Sequence, residues 1–274
     1  MVSDSVYKRT VRQISKEYND ALEAAIKKNR KYLDTVNKVQ SGKIAPPVGL
    51  KTEKQIEAWK RGYLSRYAKK VGAVDSMVAE MEAAGVKCRK SIVAMMQKTY
   101  GLENKATIAA LDAKGIIAPK TEKQIQVLLD SKMTVFDKGA LKSLENGDLA
   151  RKRLRREFAQ GLVKGDSDKK MVARIRRVTG MEESEAMRVL ETERTRVVGM
   201  SQQATAEEYF EETGMMPRKK WICSFHNSRD SHMEMHGFIV NMNEAFPNGL
   251  RYPGDESGPP EETINCRCRM EILK

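Results

Sequence analysis

The sequence predicts an α+β protein, with a predominantly α-helical N-terminal region of long helices and a small mixed α/β domain at the C-terminal end. Three observations predict it. Apolar side chains recur at helical steps of three and four through much of the chain up to Thr213. β-favouring runs appear only after Gly214, between Gly- and Pro-rich loops. All three histidines and three of the four cysteines fall between Trp221 and Cys268. The chain accordingly divides into a helical docking region over 1–148, basic helices leading into the tail over 149–214, and a small α/β domain over 215–274.

The first element is expected to be one long helix over residues 4 to 40. Tyr7, Val11, Ile14, Tyr18, Ala21, Ala25, Tyr32 and Val39 form its seam, with Lys28 and Thr35 filling two slots. Gly42 and the run Pro46-Pro47-Val48-Gly49 end it. A second long helix starts at Thr52, where Thr52 and Gln55 make a capping box. Its apolar series runs from Ile56 through Trp59, Tyr63, Tyr67, Val71, Val74 and Met77 to Met81, with Gly85 as the stop. Shorter helices come next, over Ser91 to Gln97 and Ala106 to Leu111. The stretch Lys120-Thr121-Glu122-Lys123-Gln124-Ile125 echoes Lys51 to Ile56. The residues C-terminal to the two copies differ, so the echo reads as two helix starts sharing one capping chemistry and not as a repeat.

From Arg151 to Arg177 eleven Lys or Arg stand against three acids. Leu154, Phe158 and Leu162, then Met171, Ile175 and Val178, mark two amphipathic helices hinged near Gly165. Thr179 and Glu182 then cap a helix running to about Thr213, with Ala186, Leu190, Val197, Met200 and Ala204 as its buried stripe. Short strands are expected around Trp221-Ile222-Cys223, Gly237 to Val240 and Cys268 to Leu273.

The 274 residues carry a formal net charge of +13. Such a charge speaks of an anionic partner and not of a fold. Duplex DNA is the candidate, with Arg151, Lys152, Arg153, Arg155, Arg156, Arg174, Arg176 and Arg177 as the phosphate contacts. A solvated basic surface is the plainer alternative. No apolar run is long enough to span a bilayer, and Met1 to Lys8 lacks the apolar core of a secretory signal, so no membrane partner is expected. Four cysteines in a chain of this length do not make a disulfide framework, which leaves reduced thiols as the default.

The tail admits three chemistries. Cys223, His226, His232, Cys266 and Cys268 could supply a four-ligand Zn²⁺ site, although Cys266-x-Cys268 is tighter than the common knuckle spacing. A cysteine–histidine pair, or a metal nuclease built on His226, Asn227 and His236, lacks the supporting strand or helix context. The third is a fold lock, in which Asn265-Cys266-Arg267-Cys268 pins a loop across the sheet. Arg229 and His232 would then share one face and bond loop carbonyls or Asp255. The lock is the leading reading, with no catalytic residue and no cofactor required.

The ordered series Trp221, Arg229, His232, Gly237, Phe246, Tyr252-Pro253-Gly254-Asp255 and Asn265-Cys266-Arg267-Cys268 resembles the C-terminal domain of the phage Mu F-like minor head proteins. Glu191-Thr192-Glu193-Arg194 looks like the helix preceding that tryptophan, and Gln160 to Gly165 looks like the family's G-x-x-x-G stretch. The resemblance covers about Leu149 to Leu273. Two places depart from it. His226 stands where family members often have an acid, and Arg229 and His232 stand where many have Cys-x-x-Cys, so the family's metal-like cluster is incomplete here. The resemblance implies a non-enzymatic minor virion component of few copies, associated with portal and capsid. It would act in head assembly and in DNA packaging or delivery, located in the capsid interior near the portal and in the host cytoplasm during assembly. The rival readings are a zinc-dependent nucleic-acid-binding protein or nuclease and, more remotely, a host-encoded basic helical adaptor.

Overall fold

The computed structural model describes residues 4–132, 156–157, 160–161, 164, 166, 169–170, 173–174 and 183–274. The described residues form eight helices and three strands. In order they are α1 (Asp4–Lys28), α2 (Arg30–Gln40), α3 (Glu53–Lys70), α4 (Ala73–Ala110), α5 (Glu122–Lys132), α6 (Glu183–Thr213), β1 (Arg218–Ile222), α7 (Asp230–Glu234), β2 (Ile239–Asn241), α8 (Pro260–Thr263) and β3 (Arg269–Leu273). This is the α+β class that the sequence predicts. The chain divides into two compact units: Met1–Gln13, Lys90–Gly139 and Ala186–Lys274 form one, and Ile14–Arg89 with Ala140–Glu185 the other.

In the second unit the periodic seams become core. Ile14, Ala25, Tyr32, Val36, Val39, Leu64, Met77 and Cys88 are buried, and Tyr32 stacks on Tyr67 at 6.4 Å between centroids. The capping box of α3 forms as its residues predict: Gln55 N donates to Thr52 Oγ1 (3.2 Å) and Thr52 N to Gln55 Oε1 (3.1 Å). Thr121 and Gln124 repeat this chemistry ahead of α5.

Two helix boundaries differ from expectation. The single helix over 4–40 breaks at Asn29, whose backbone leaves the helical region (φ −100°, ψ 12°) while its side-chain amide donates to the Ala25 carbonyl at 2.9 Å. A side chain that competes for helix carbonyls tilts the axis without dephasing the apolar stripe, so periodicity alone cannot reveal the break. The second helix stops at Lys70, not Gly85. Gly72 takes φ +61°, the left-handed turn that Gly supplies without a Cβ clash. α4 then runs through Gly85, where an interior glycine costs only about 1 kcal/mol relative to Ala, and absorbs the two shorter helices expected over 91–111.

β1 is the central strand of a three-stranded antiparallel sheet of order β2-β1-β3. Trp221 pairs with Met270 and Lys219 with Val240 and Ile272. Alternation along β1 sends Lys219 and Trp221 inward, both fully buried. The expected basic helices over 151–177, the hinge at Gly165 and the Thr179–Glu182 cap lie, but for a few residues, outside the described residues. No described helix is long and apolar enough to cross a membrane.

Candidate functional site

Helix α6 positions the site, and it does so with polar groups. Every residue from Leu190 to Ser201 is buried, including Glu191, Glu193, Arg194 and Arg196. Buried charges need partners, and these have them one turn apart. Arg196 pairs with Glu193 (2.8 Å) and Arg194 with Glu191 (3.4 Å), while Arg194 also pairs with Asp4 of α1 and lies over the Tyr7 ring.

Two hydroxyls of the same helix hold the loop that carries the cysteines. Asn265 N donates to Thr192 Oγ1 (2.7 Å), and Thr195 Oγ1 donates to the Cys266 carbonyl (2.6 Å). Residues three apart on a helix share a face, so Thr192 and Thr195 grip adjacent peptides. Between these grips Asn265 adopts φ +59°, a conformation Asn tolerates better than most residues. On the other side, Arg229 donates to the Ile264 carbonyl (2.5 Å).

That grip sets Cys266 and Cys268 against His232 of α7. The Nδ1 atom of His232 lies 3.5 Å from Cys266 Sγ and 3.5 Å from Cys268 Sγ. The donor atoms of all three lie within 4.8 Å of one another, and all three residues are buried. On the other edge of the ring, His232 Nε2 comes within 2.8 Å of Glu262 Oε2, close but not aligned as a hydrogen bond. Ser231 Oγ donates to both oxygens of that carboxylate. Trp221 packs its ring edge-on to His232 at 5.1 Å and to Phe246 at 5.1 Å. The hydrogen bond between the two thiols holds Cys266 below the usual thiol range. The same bond, with burial, pushes Cys268 up to about 12.

The remaining sequence candidates fall into place around this trio. Cys223 is buried just past the end of β1, and its Sγ accepts from Phe225 N at 3.3 Å. His226 is exposed. His236 is exposed too, and its Nδ1 accepts from Cys223 N at 3.2 Å. Gly237, at φ +86°, returns its N–H to the Trp221 carbonyl (2.8 Å). Arg267 is exposed.

Asp255 does not meet Arg229 or His232. Fully buried, it accepts from Arg251 N (2.8 Å), Arg251 Nε (3.2 Å), Ser257 N (3.0 Å) and Ser257 Oγ (2.7 Å). Burial pushes its carboxyl up, but the bonds from Ser257 and Arg251 outweigh burial and hold it below the usual range. Beside it, Gly254 sits at φ +80° with room for no side chain, because a Cβ would meet Arg196 N at 2.9 Å.

Of the proposed DNA contacts, only Arg156 and Arg174 are among the described residues. Arg156 is exposed. Arg174 is buried and paired with Glu157 (3.0 Å) and with Asp166.

Sequence reasoning missed Glu262, Ser231 and Lys219. The amine of Lys219 donates to Gln203 Oε1 (3.1 Å) and to the Met242 (2.9 Å) and Arg251 (2.7 Å) carbonyls. Its one signal was alternation: in Lys219-Lys220-Trp221, the residue two before an inward Trp must also point inward.

No curated protein and no solved structure matches this chain. Residues 152–271 match the family model described as Phage Mu protein F like protein. That span holds the gripping helix, the Trp221 strand and the Asn265-Cys266-Arg267-Cys268 loop, and over it the chain is similar to the phage Mu F-like family.

Proposed function

We propose that this protein is a minor head protein that associates with the portal, in few copies, and acts in head assembly and in DNA packaging or delivery. The observation that carries this reading is the phage Mu F-like match over residues 152–271, which suggests a role in phage head morphogenesis. The architecture supports a scaffolding task. Asn265, Cys266, Asp255 and Arg229 all fix loops, while long helices make up most of the other described residues. Co-purification with the portal ring and presence in mature particles are the expected outcomes. Particles assembled normally without the protein would overturn the reading.

The basic stretch from Arg151 to Arg177 supports contact with packaged DNA. Lys and Arg on phosphates release counterions, so binding to plain duplex DNA should weaken at least tenfold between about 50 and about 200 mM salt. Absent or salt-insensitive binding rules the contact out.

A nuclease built on the same Cys and His residues finds less support. A catalytic zinc keeps a coordination position open to substrate, whereas His232, Cys266 and Cys268 are all buried, and the exposed His236 is engaged with the Cys223 peptide. Metal-dependent nicking of DNA by the purified protein would reverse this preference.

A further inference from the structure

We propose that His232, Cys266 and Cys268, completed by Cys223, hold one zinc ion that clips the C-terminal elements together. The first argument is metrical. With Zn–S bonds of about 2.3 Å and Zn–N bonds of about 2.0 to 2.1 Å, the S···N edge of a tetrahedron is about 3.6 Å. His232 Nδ1 stands 3.5 Å from each of the two sulfurs. One N–H can be directed well at only one acceptor, yet Nδ1 is equidistant from two. A cation among the three donors accounts for that symmetry and an imidazole–thiol hydrogen bond does not.

The second argument comes from the opposite edge of the ring. A ligating histidine usually presents its other nitrogen to a carboxylate, which fixes the tautomer and raises ligand basicity. His232 Nε2 is 2.8 Å from Glu262 Oε2, within reach of it though not aligned as a hydrogen bond, and Ser231 braces that carboxylate through both of its oxygens. A proton on Nε2 would leave Nδ1 as the lone-pair donor facing the thiols. The third argument concerns the thiolates. Phe225 N donates to Cys223 Sγ at 3.3 Å, and Phe225 and Asn227 take φ of +56° and +50° in the adjoining turn. The Phe225 N–H is turned back onto the Cys223 sulfur.

The four residues come from the end of β1, from α7 and from the approach to β3. One ion would therefore join three short elements of the C-terminal region. Each ligating thiol gives its proton to solvent, so loading should release protons as well as raise stability. With Cys223 as the fourth donor no position would stay open, which would make this a structural zinc and not a reagent.

The test uses the full chain, expressed with zinc and purified without chelator. Elemental analysis should find about one zinc per chain. Cobalt(II) added to the metal-free protein should give the thiolate charge-transfer and ligand-field bands of a tetrahedral site. Cys88→Ser, at a buried thiol of the other unit, should leave both unchanged. Cys266→Ser and His232→Gln should lower zinc affinity more than a hundredfold, and Glu262→Gln by about ten- to a hundredfold. Unchanged zinc content in Cys223→Ser would overturn its place as fourth ligand. A wild-type protein that is folded, carries no zinc and shows no cobalt band would overturn the site altogether, and this holds even if the cysteine variants fail to fold.

Discussion

The unit of Ile14–Arg89 and the α6–sheet region are built on opposite principles. The first is held by an apolar seam: Val36, Leu64, Met77 and Val78 have no exposure at all. The second buries Glu193, Arg196, Lys219, His232 and Asp255 at 1% exposure or less. An apolar core tolerates approximate complementarity, because hydrophobic burial is non-directional. A polar core is satisfied only by specific partners at specific angles, and loses heavily when one is removed. The lesson is that the loop-rich C-terminal region gets its definition from polar pairing where the helical unit gets it from shape.

The largest effect should come from splitting the most buried ion pair. In Glu193→Ala the Arg196 guanidinium, 1% exposed, loses its carboxylate, and an uncompensated buried charge costs about 4 kcal/mol. Removing both charges, as Glu193→Leu with Arg196→Met, should recover most of that loss, since buried pairs and apolar replacements of like volume are close in stability. Denaturant titration followed by Trp221 fluorescence in a Trp59→Phe background reads both. A double variant as unstable as the single would break the comparison, because it would show that shape and not pairing limits this core.

The matching change in the apolar unit is Leu64→Ala. Leu64 has no exposure, so truncation should cost about 3 kcal/mol through lost transfer energy and a residual cavity. Hydrogen exchange of α3 amides measures it. A single change, Leu64→Met, should recover at least half of that loss, because a volume-conserving swap costs under about 1.5 kcal/mol. Equal losses for Met and Ala at this position would mean that the seam is as exacting as the polar core.

The same contrast explains what was legible in the sequence. Helix existence, the Thr52 and Thr121 starts and the three strands derive from periodicity and capping, which are local. The partners of the Asn265 to Cys268 loop were not legible, because Thr192 and Thr195 lie more than seventy residues away and hydroxyls on a helix carry no signal of what they will grip. Glu262 was hidden for the same reason: in Pro259-Pro260-Glu261-Glu262 its neighbour is an equal candidate until the fold chooses. The break at Gly72 was passed over because the apolar steps continue in phase across it. The sequence pairs His226 with Cys223 and leaves His232 and His236 as spares, and only the fold sets His232, buried, against the two thiols and leaves the other two exposed.

Lys219 supplies a sharper probe of the polar core, since its charge can be titrated away. Burial pushes its ammonium down to about 8, against the opposing pull of Glu207, Asp255 and Glu244. At pH 7 the lysine is charged both folded and unfolded. Between about 8 and about 10.5 the unfolded chain keeps a proton that the folded chain has released, so this group's contribution to stability rises with pH. Wild type should therefore gain about 2 kcal/mol over Lys219→Met on going from pH 7 to pH 10. Parallel stability profiles for the two proteins would show that the three hydrogen bonds hold the charge at no cost.

The smallest effect sets the control for all the others. Thr52 and Thr121 make the same capping box, the first in the Ile14–Arg89 stretch and the second in the Lys90–Gly139 stretch. Each satisfies orphan donors of its own helix, and neither reaches into a core, so Thr→Ala should cost about 1 kcal/mol at either site. Equality is the expected result because the chemistry is local while the surroundings differ. If Thr121→Ala cost several times more than Thr52→Ala, the polar unit would be transmitting a helix-end defect into its buried pairs. Lys120 N donates to Asn104 Oδ1, and Asn104 Nδ2 donates to Thr205 Oγ1 of α6, so a path for that transmission exists. The Asn104→Ala variant then decides: it should abolish any excess at Thr121 and leave Thr52 untouched.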